Sequence, residues 1–186
     1  MDNSFQSKLE ELQKQYYKHN TKNIIFKSGQ KIECANTINT TINKNELFQN
    51  TIYVINNTNK LYFDYPIFKT YASPSIFVEL TEYIYLLIKS VIHKFNNYEL
   101  HINWNTYSIS AHERYKDLYT IFLNKYENEE FNFHDHLNKL YVYFTPNIIQ
   151  AISGLMRPLI HPVVLNKIIL INKINSSKMI NELFHK

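Results

Sequence analysis

The sequence predicts an α/β fold: a mainly parallel sheet with covering helices, preceded by an N-terminal helix and an antiparallel hairpin. Three observations carry this. From about residue 75 the patterns alternate helix, strand, helix, strand, helix, strand, helix. The stretches 140–144 (LYVYF) and 167–171 (KIILI) are nearly continuous apolar runs, as strands buried on both faces are. The connections between strands have the length of right-handed crossovers, which parallel pairing requires.

In chain order, residues 4–19 form an amphipathic helix. Ser7 and Glu10 have capping-box spacing, and Leu9, Leu12 and Tyr16 share a face. Residues 24–34 read as a hairpin, with Ile24, Ile25 and Phe26 in one arm, Ser28-Gly29 as the turn, and Lys31 to Cys34 returning. The polar stretch 35–50, with Asn36, Asn39, Asn43 and Asn45, reads as a loop. TIYVIN at 51–56 and Leu61 to Tyr65 are strands joined by the turn Asn57-Thr58-Asn59, and Pro66 ends the second.

Ser73 as N-cap and Pro74 at the first helical position start a helix that runs to about Asn96. Ile76, Leu80, Tyr83, Leu87 and Val91 form its apolar face. Glu99 to Asn105 alternates as a strand, with Leu100, Ile102 and Trp104 on one side. A capping box at Ser110 and Glu113 opens a helix over 110–127, whose stripe is Leu118, Ile121 and Phe122. The strand 140–144 is followed by Thr145-Pro146 and a helix over 146–160. Pro162 begins a new segment, 167–171 is a strand, and 177–185 a terminal helix. All of 1–186 reads as a single domain: an N-terminal helix in 1–22, hairpin and loop in 24–50, and an α/β core in 51–186.

Composition narrows the function. Of 186 residues, 45% are hydrophobic and 15% aromatic, too many for a disordered chain. The 2 glycines, Gly29 and Gly154, are too few for a Walker A or GxGxxG phosphate loop, and no GxSxG elbow is possible. Cys34 alone cannot make an intramolecular disulfide or a multi-cysteine metal centre. The net charge of +4 comes from 20 Lys+Arg spread among 16 Asp+Glu. No nucleic-acid partner is expected from that pattern, although the excess suits an anionic membrane surface. The polar, acidic start MDNSFQSKLEEL does not resemble a signal peptide, and no apolar run is long enough to span a bilayer. The expected location is cytoplasmic, at most peripheral to membranes. The Asn/Ile/Lys/Tyr bias is that of an AT-rich coding genome, viral or protist.

No catalytic constellation is present, and the expectation is a protein without enzymatic activity. Cys34 has no nearby His in sequence, and Glu129-Glu130 follow a helix end as a solvated pair. His134, Asp135 and His136 would share a face if extended, with His101, His112 or His161 as further donors. No second ligand pair at fixed spacing accompanies them, so no metal and no cofactor is expected.

The C-terminal half carries a pattern of apolar and punctuating residues. Phe133-His134-Asp135-His136-Leu137 leads into the strand Leu140-Tyr141-Val142-Tyr143-Phe144, then Thr145-Pro146 and a helix from Asn147 to Met156. Arg157-Pro158-Leu159-Ile160-His161-Pro162 follows, ten residues ahead of Lys167-Ile168-Ile169-Leu170-Ile171. Over roughly 98–184 this resembles the CRAL-TRIO lipid-binding domain, closest to its divergent BCH-type branch. Asp135-His136 stands where the family has Glu-Arg, and Asn103-Trp104-Asn105 where it has Asp-Gly.

The resemblance implies a non-enzymatic binding module for an apolar or phospholipid ligand. Lys167, with Arg157, would hold an anionic headgroup; the alternative for Lys167 is a lysine snorkelling at a strand end. The helix 146–160 resembles the family's gate helix, and Ile148, Ile152, Leu155 and Met156, with Ile149, would wall the ligand. Plain core packing is the alternative for these residues. The BCH-type likeness implies a second function, a protein-interaction scaffold whose partner is a small GTPase or a second copy in a homodimer.

Overall fold

A five-stranded sheet organises the chain, and its strands lie in chain order, β1-β2-β3-β4-β5. In the computed structural model the described residues are 3–22, 27–127, 132–145, 154, 157 and 160–185. The strands are β1 (Ile52–Val54), β2 (Lys60–Asp64), β3 (Tyr98–Asn103), β4 (Leu137–Thr145) and β5 (Ile168–Asn172). β1 pairs antiparallel with β2, and every later pairing is parallel. Leu61, Leu100 and Leu140 stand side by side across three strands, and Ile168 continues the row. The three strands expected near 99–105, 140–144 and 167–171 are therefore parallel neighbours.

The helices are α1 (Asn3–His19), α2 (Lys27–Thr41), α3 (Lys44–Thr51), α4 (Tyr65–Tyr71), α5 (Phe77–Phe95), α6 (Ile109–Arg114), α7 (Lys116–Glu127), α8 (Phe133–His136), α9 (Pro162–Leu165) and α10 (Lys173–His185). Leu61, Leu100 and Leu140 pack with Tyr85, Ile88, Val91 and Ile92 of α5 and with Phe122 of α7. Alternation along a strand sends the intervening residues to the other face. There Tyr62, Tyr141, Tyr143 and Ile169 meet Ile180, Leu183 and Phe184 of α10. A third cluster begins at Phe5 and Leu9 of α1 and runs through α2, α3 and α4 to Tyr115 and Leu118. It stacks the N-terminal helices over the carboxyl end of β2.

Several expectations are corrected. The hairpin at 24–34 and the loop at 35–50 are the helices α2 and α3, although residues 23–26 lie outside the described residues. Cys34, Ala35 and Ile38 recur at helical spacing and are buried, while Asn36, Thr37, Thr40 and Thr41 are exposed and the half-buried Asn39 donates to Ser73 Oγ at 3.0 Å. The Thr37 and Thr41 hydroxyls return bonds to carbonyls four residues earlier. Gly29 sits inside this helix with open space around it, so it makes no turn. Asn43 then caps α3, its side-chain oxygen accepting from Asn45 N at 2.8 Å.

Pro66 does not merely end β2; it lies in the first turn of α4, whose N-cap is Asp64. Ser108, not Ser110, caps the next helix, accepting from Ala111 N at 3.3 Å, and the helix breaks at Tyr115 into α6 and α7. The residues His134 to His136 form part of the single turn α8, not an extended segment. The expected strands are all present, with β4 starting three residues earlier than expected, at Leu137, and the other bounds within two residues. The hairpin at 51–65 turns through Asn56 and Asn57 at φ 45° and 59°, a left-handed conformation that Asn tolerates. Asn96 ends α5 in the same way, at φ 63°. Among the described residues no helix is long and apolar enough to cross a membrane.

Candidate functional site

Between the sheet and helices α5 and α7 lies an apolar cavity of about 240 Å³. Its floor is Leu100, Ile102 and Trp104, the residues that the alternation of β3 places on one side. Ile84 and Ile88 of α5 and Leu118 and Phe122 of α7 form the roof, with Phe63, Tyr65 and Phe68 at the end nearer the N-terminal helices. Ile160 closes another part of the wall. The few polar atoms are turned inward on one another. Tyr107 and Tyr119 share a hydroxyl bond of 2.7 Å, and Trp104 stacks on Tyr107 with ring centres 4.5 Å apart. A turn at Thr106, φ 67°, brings Trp104 and Tyr107 together, and Tyr107 N donates to Trp104 O at 2.9 Å.

Of the residues singled out in the sequence, Ile148, Ile149, Ile152, Leu155 and Met156, with most of the helix 146–160, lie outside the described residues. Ile160, the last residue of that stretch, lines the cavity. Arg157 is exposed. Lys167 is half-buried beside the start of β5, and its Nζ donates to the carbonyl of His134 at 2.9 Å. His134 stacks on His161 with centroids 3.9 Å apart, and His136 Nδ1 lies 2.7 Å from Asn96 O. Among the described residues no group of three His, Cys, Asp or Glu side chains could hold a metal ion.

On the far side of the Tyr65 ring is a larger groove of about 600 Å³. Gln13 and Tyr17 of α1 border it, with Lys31 and Cys34 of α2. Lys69 of α4 and Arg114 of α6 face them. Lys22 and Lys27 stand at its rim, and among the described residues no carboxylate lines it. The sequence shows these cations as isolated residues; only the packing of α1 and α2 over α4 and α6 assembles them. The one legible signal is Lys27 and Lys31 at i, i+4 spacing, which shares a helix face once α2 is known to be a helix.

Burial lowers the Lys31 ammonium, and the neighbouring charges of Arg114 and Lys27 press the same way. Burial likewise lowers Lys69, opposed by the charges of Asp64 and Glu10. The Cys34 thiol is raised by burial, which holds it as an unreactive core thiol.

On the other face of the sheet, His101 is buried and stacks on Tyr141 at 4.6 Å, with Nδ1 2.9 Å from the Tyr143 hydroxyl. Asp64 and Asn103 end β2 and β3 side by side, and Asn103 Nδ2 donates to Asp64 Oδ1 at 3.4 Å. Asp64 Oδ1 also accepts from Ile67 N at 3.4 Å, so the pair fastens the start of α4 to the sheet. Compared with models of known protein families and with curated proteins, the chain matches none.

Proposed function

We propose that this protein is a non-enzymatic binding module for an apolar ligand, a lipid with one short chain. The cavity between β3, α5 and α7 carries the reading: its walls are side-chain carbon, with almost no polar group to satisfy. Binding pockets of drug size run to about 300–1,000 Å³. At about 240 Å³ the space suits a single chain better than the paired chains of a phospholipid. Ile160 adds support, because it belongs to the stretch that resembles a CRAL-TRIO gate helix and lines this same cavity. Arg157 and Lys167 remain the headgroup contacts that the resemblance implies, at the end of that stretch.

Native mass spectrometry of protein purified from cells tests the reading. A bound mass of single-chain lipid size, lost when Ile102→Trp fills the cavity, is the expected result. A dimer with no bound mass in either protein would favour the BCH-type scaffold function instead.

A further inference from the structure

The groove on the other side of Tyr65 has a chemistry of its own. Five cations, Lys22, Lys27, Lys31, Lys69 and Arg114, line one concavity of about 600 Å³. They come from four places in the chain that the fold alone brings together. Among the described residues none of them makes an ion pair, although lysines elsewhere do, as Lys8 with Glu46 and Lys44 with Glu79. Asp64 and Glu10, whose charges reach Lys69, form no ion pair with it, and Glu10 accepts from Gln6 Nε2 at 2.9 Å. Glu33 accepts from the Tyr16 hydroxyl at 3.1 Å, and Asp64 caps α4.

Two further observations suit an anionic ligand. Arg114 Nε is buried without a hydrogen-bond partner, while the guanidinium lies over the Tyr115 ring, 5.6 Å from its centre. A buried donor left unmade is costly, and in native proteins it usually meets water or a ligand. The groove also lies beyond the carboxyl ends of β2 and β3, through Lys69 on α4, Thr106 in the turn and Ser108 before α6. That end of a parallel sheet is where α/β proteins bind ligands. Donors without charge surround the cations: Thr70, Thr106, Ser108 and Ser110 hydroxyls and Gln13. Lys69 Nζ already donates to Thr106 Oγ1 at 2.6 Å, which fixes its position at the rim.

We infer that this groove is a binding site for a small, multiply phosphorylated anion, held by Lys31, Lys69 and Arg114 with Lys22 and Lys27 at the rim. A single carboxylate would leave most of this charge uncompensated. Several phosphoryl groups would offset it, and Arg with Lys gives them charge-assisted hydrogen bonds. Burial first, and then the charges of Arg114 and Lys27, lower Lys31, and a bound polyanion offsets those neighbouring charges. This site does not depend on the apolar cavity, so it stands or falls apart from the lipid reading.

Inorganic tripolyphosphate is the probe, followed by calorimetric titration and by thermal melting, with orthophosphate beside it. The expected result is saturable binding of tripolyphosphate that is at least tenfold tighter than that of orthophosphate and weakens steeply with salt. Lys31→Gln with Arg114→Gln should weaken it at least tenfold, while Lys178→Gln on α10 leaves it unchanged. The ligand-free double variant should melt at or above the wild-type temperature, since a like-charge contact is removed. Should that variant fail to fold, Lys69→Gln alone serves, with the same loss expected.

Vesicles of phosphatidylcholine, with and without a phosphorylated phosphatidylinositol, separate the sources. Vesicle binding that needs the phosphorylated lipid and both cations assigns a lipid headgroup; tripolyphosphate binding without it assigns a free ligand, and either supports the site. Absence of tripolyphosphate binding, binding unchanged in the variants, or tighter capture of an RNA oligonucleotide that tripolyphosphate does not displace would overturn it.

Discussion

Ser176 holds Phe144 in a backbone conformation that few aromatic residues adopt. Phe144 sits at φ 55°, where the pairing of β4 with β5 shifts register. Its N–H donates to Ser176 Oγ at 2.7 Å, and the Ser176 hydroxyl donates in turn to Asn172 O at 2.7 Å. Ser176 is fully buried. One hydroxyl thus ties the irregular end of β4 to the junction of β5 and α10.

Ser176→Ala removes that acceptor and leaves the Phe144 N–H unpaired. A buried donor without a partner costs about 1–3 kcal/mol. Urea denaturation is expected to show a loss in that range with an unchanged slope. A loss below half a kilocalorie would mean that water replaces the hydroxyl.

Two buried groups give the stability curve opposite slopes in acid. Burial, with the Lys60 charge, pushes the His101 imidazole from 6.5 down to about 4. Between those values the unfolded chain binds the extra proton, so this group costs stability as pH falls from 6.5 toward 4. Burial pushes the Asp64 carboxyl from 3.8 up to about 6, so the folded chain holds that proton and gains stability as pH falls through 6 toward 3.8. In the native protein the two largely offset. Comparing about pH 7 with about pH 4.5, His101→Phe should become more stable in acid and Asp64→Asn less stable, each by about 2 kcal/mol. Equal pH profiles for wild type and both variants would contradict this.

Val142→Asp and Tyr143→Asp should each abolish cooperative melting. The two side chains are 3% and 2% exposed and point to opposite faces of β4. An unpaired buried carboxylate costs several kcal/mol, against a typical stability of about 5–15 kcal/mol. Wild-type melting of either variant would show that the face it belongs to is open.

Charge reversal addresses the headgroup contacts that the CRAL-TRIO resemblance implies. Arg157→Glu with Lys167→Glu is expected to weaken binding to anionic vesicles and to leave neutral ones unaffected, since each basic residue near an anionic surface adds about 1 kcal/mol. Lys167→Gln alone breaks its bond to the His134 carbonyl, so its melting temperature measures the structural share. Vesicle binding that ignores the double change removes both residues from the site.

The strands were legible because β-branched and aromatic runs such as TIYVIN and LYVYF have few other uses. The apolar floor of the cavity was legible too, since Leu100, Ile102 and Trp104 alternate along β3. The helices α2 and α3 were not. Their buried sides rest on Cys34, Ala35, Ile38, Leu47 and Phe48, while Asn and Thr fill the rest and imitate a loop. Pro66 was ambiguous because the same residue stops a strand and starts a helix. The basic groove had no local signature: Lys31, Lys69 and Arg114 are brought together only by tertiary packing.

The order of the strands has a kinetic consequence. Because spatial order repeats chain order, each strand pairs with the one made immediately before it, and no strand waits for a partner still to come. Each pairing closes one hairpin or one crossover of chain, so the loop-closure entropy is met in small instalments. Sheets whose neighbours are distant in sequence fold slowly for want of this economy. Strand order therefore allows the sheet to grow by neighbouring pairs, with the Ser176–Phe144 tie joining the end of its last two strands to α10.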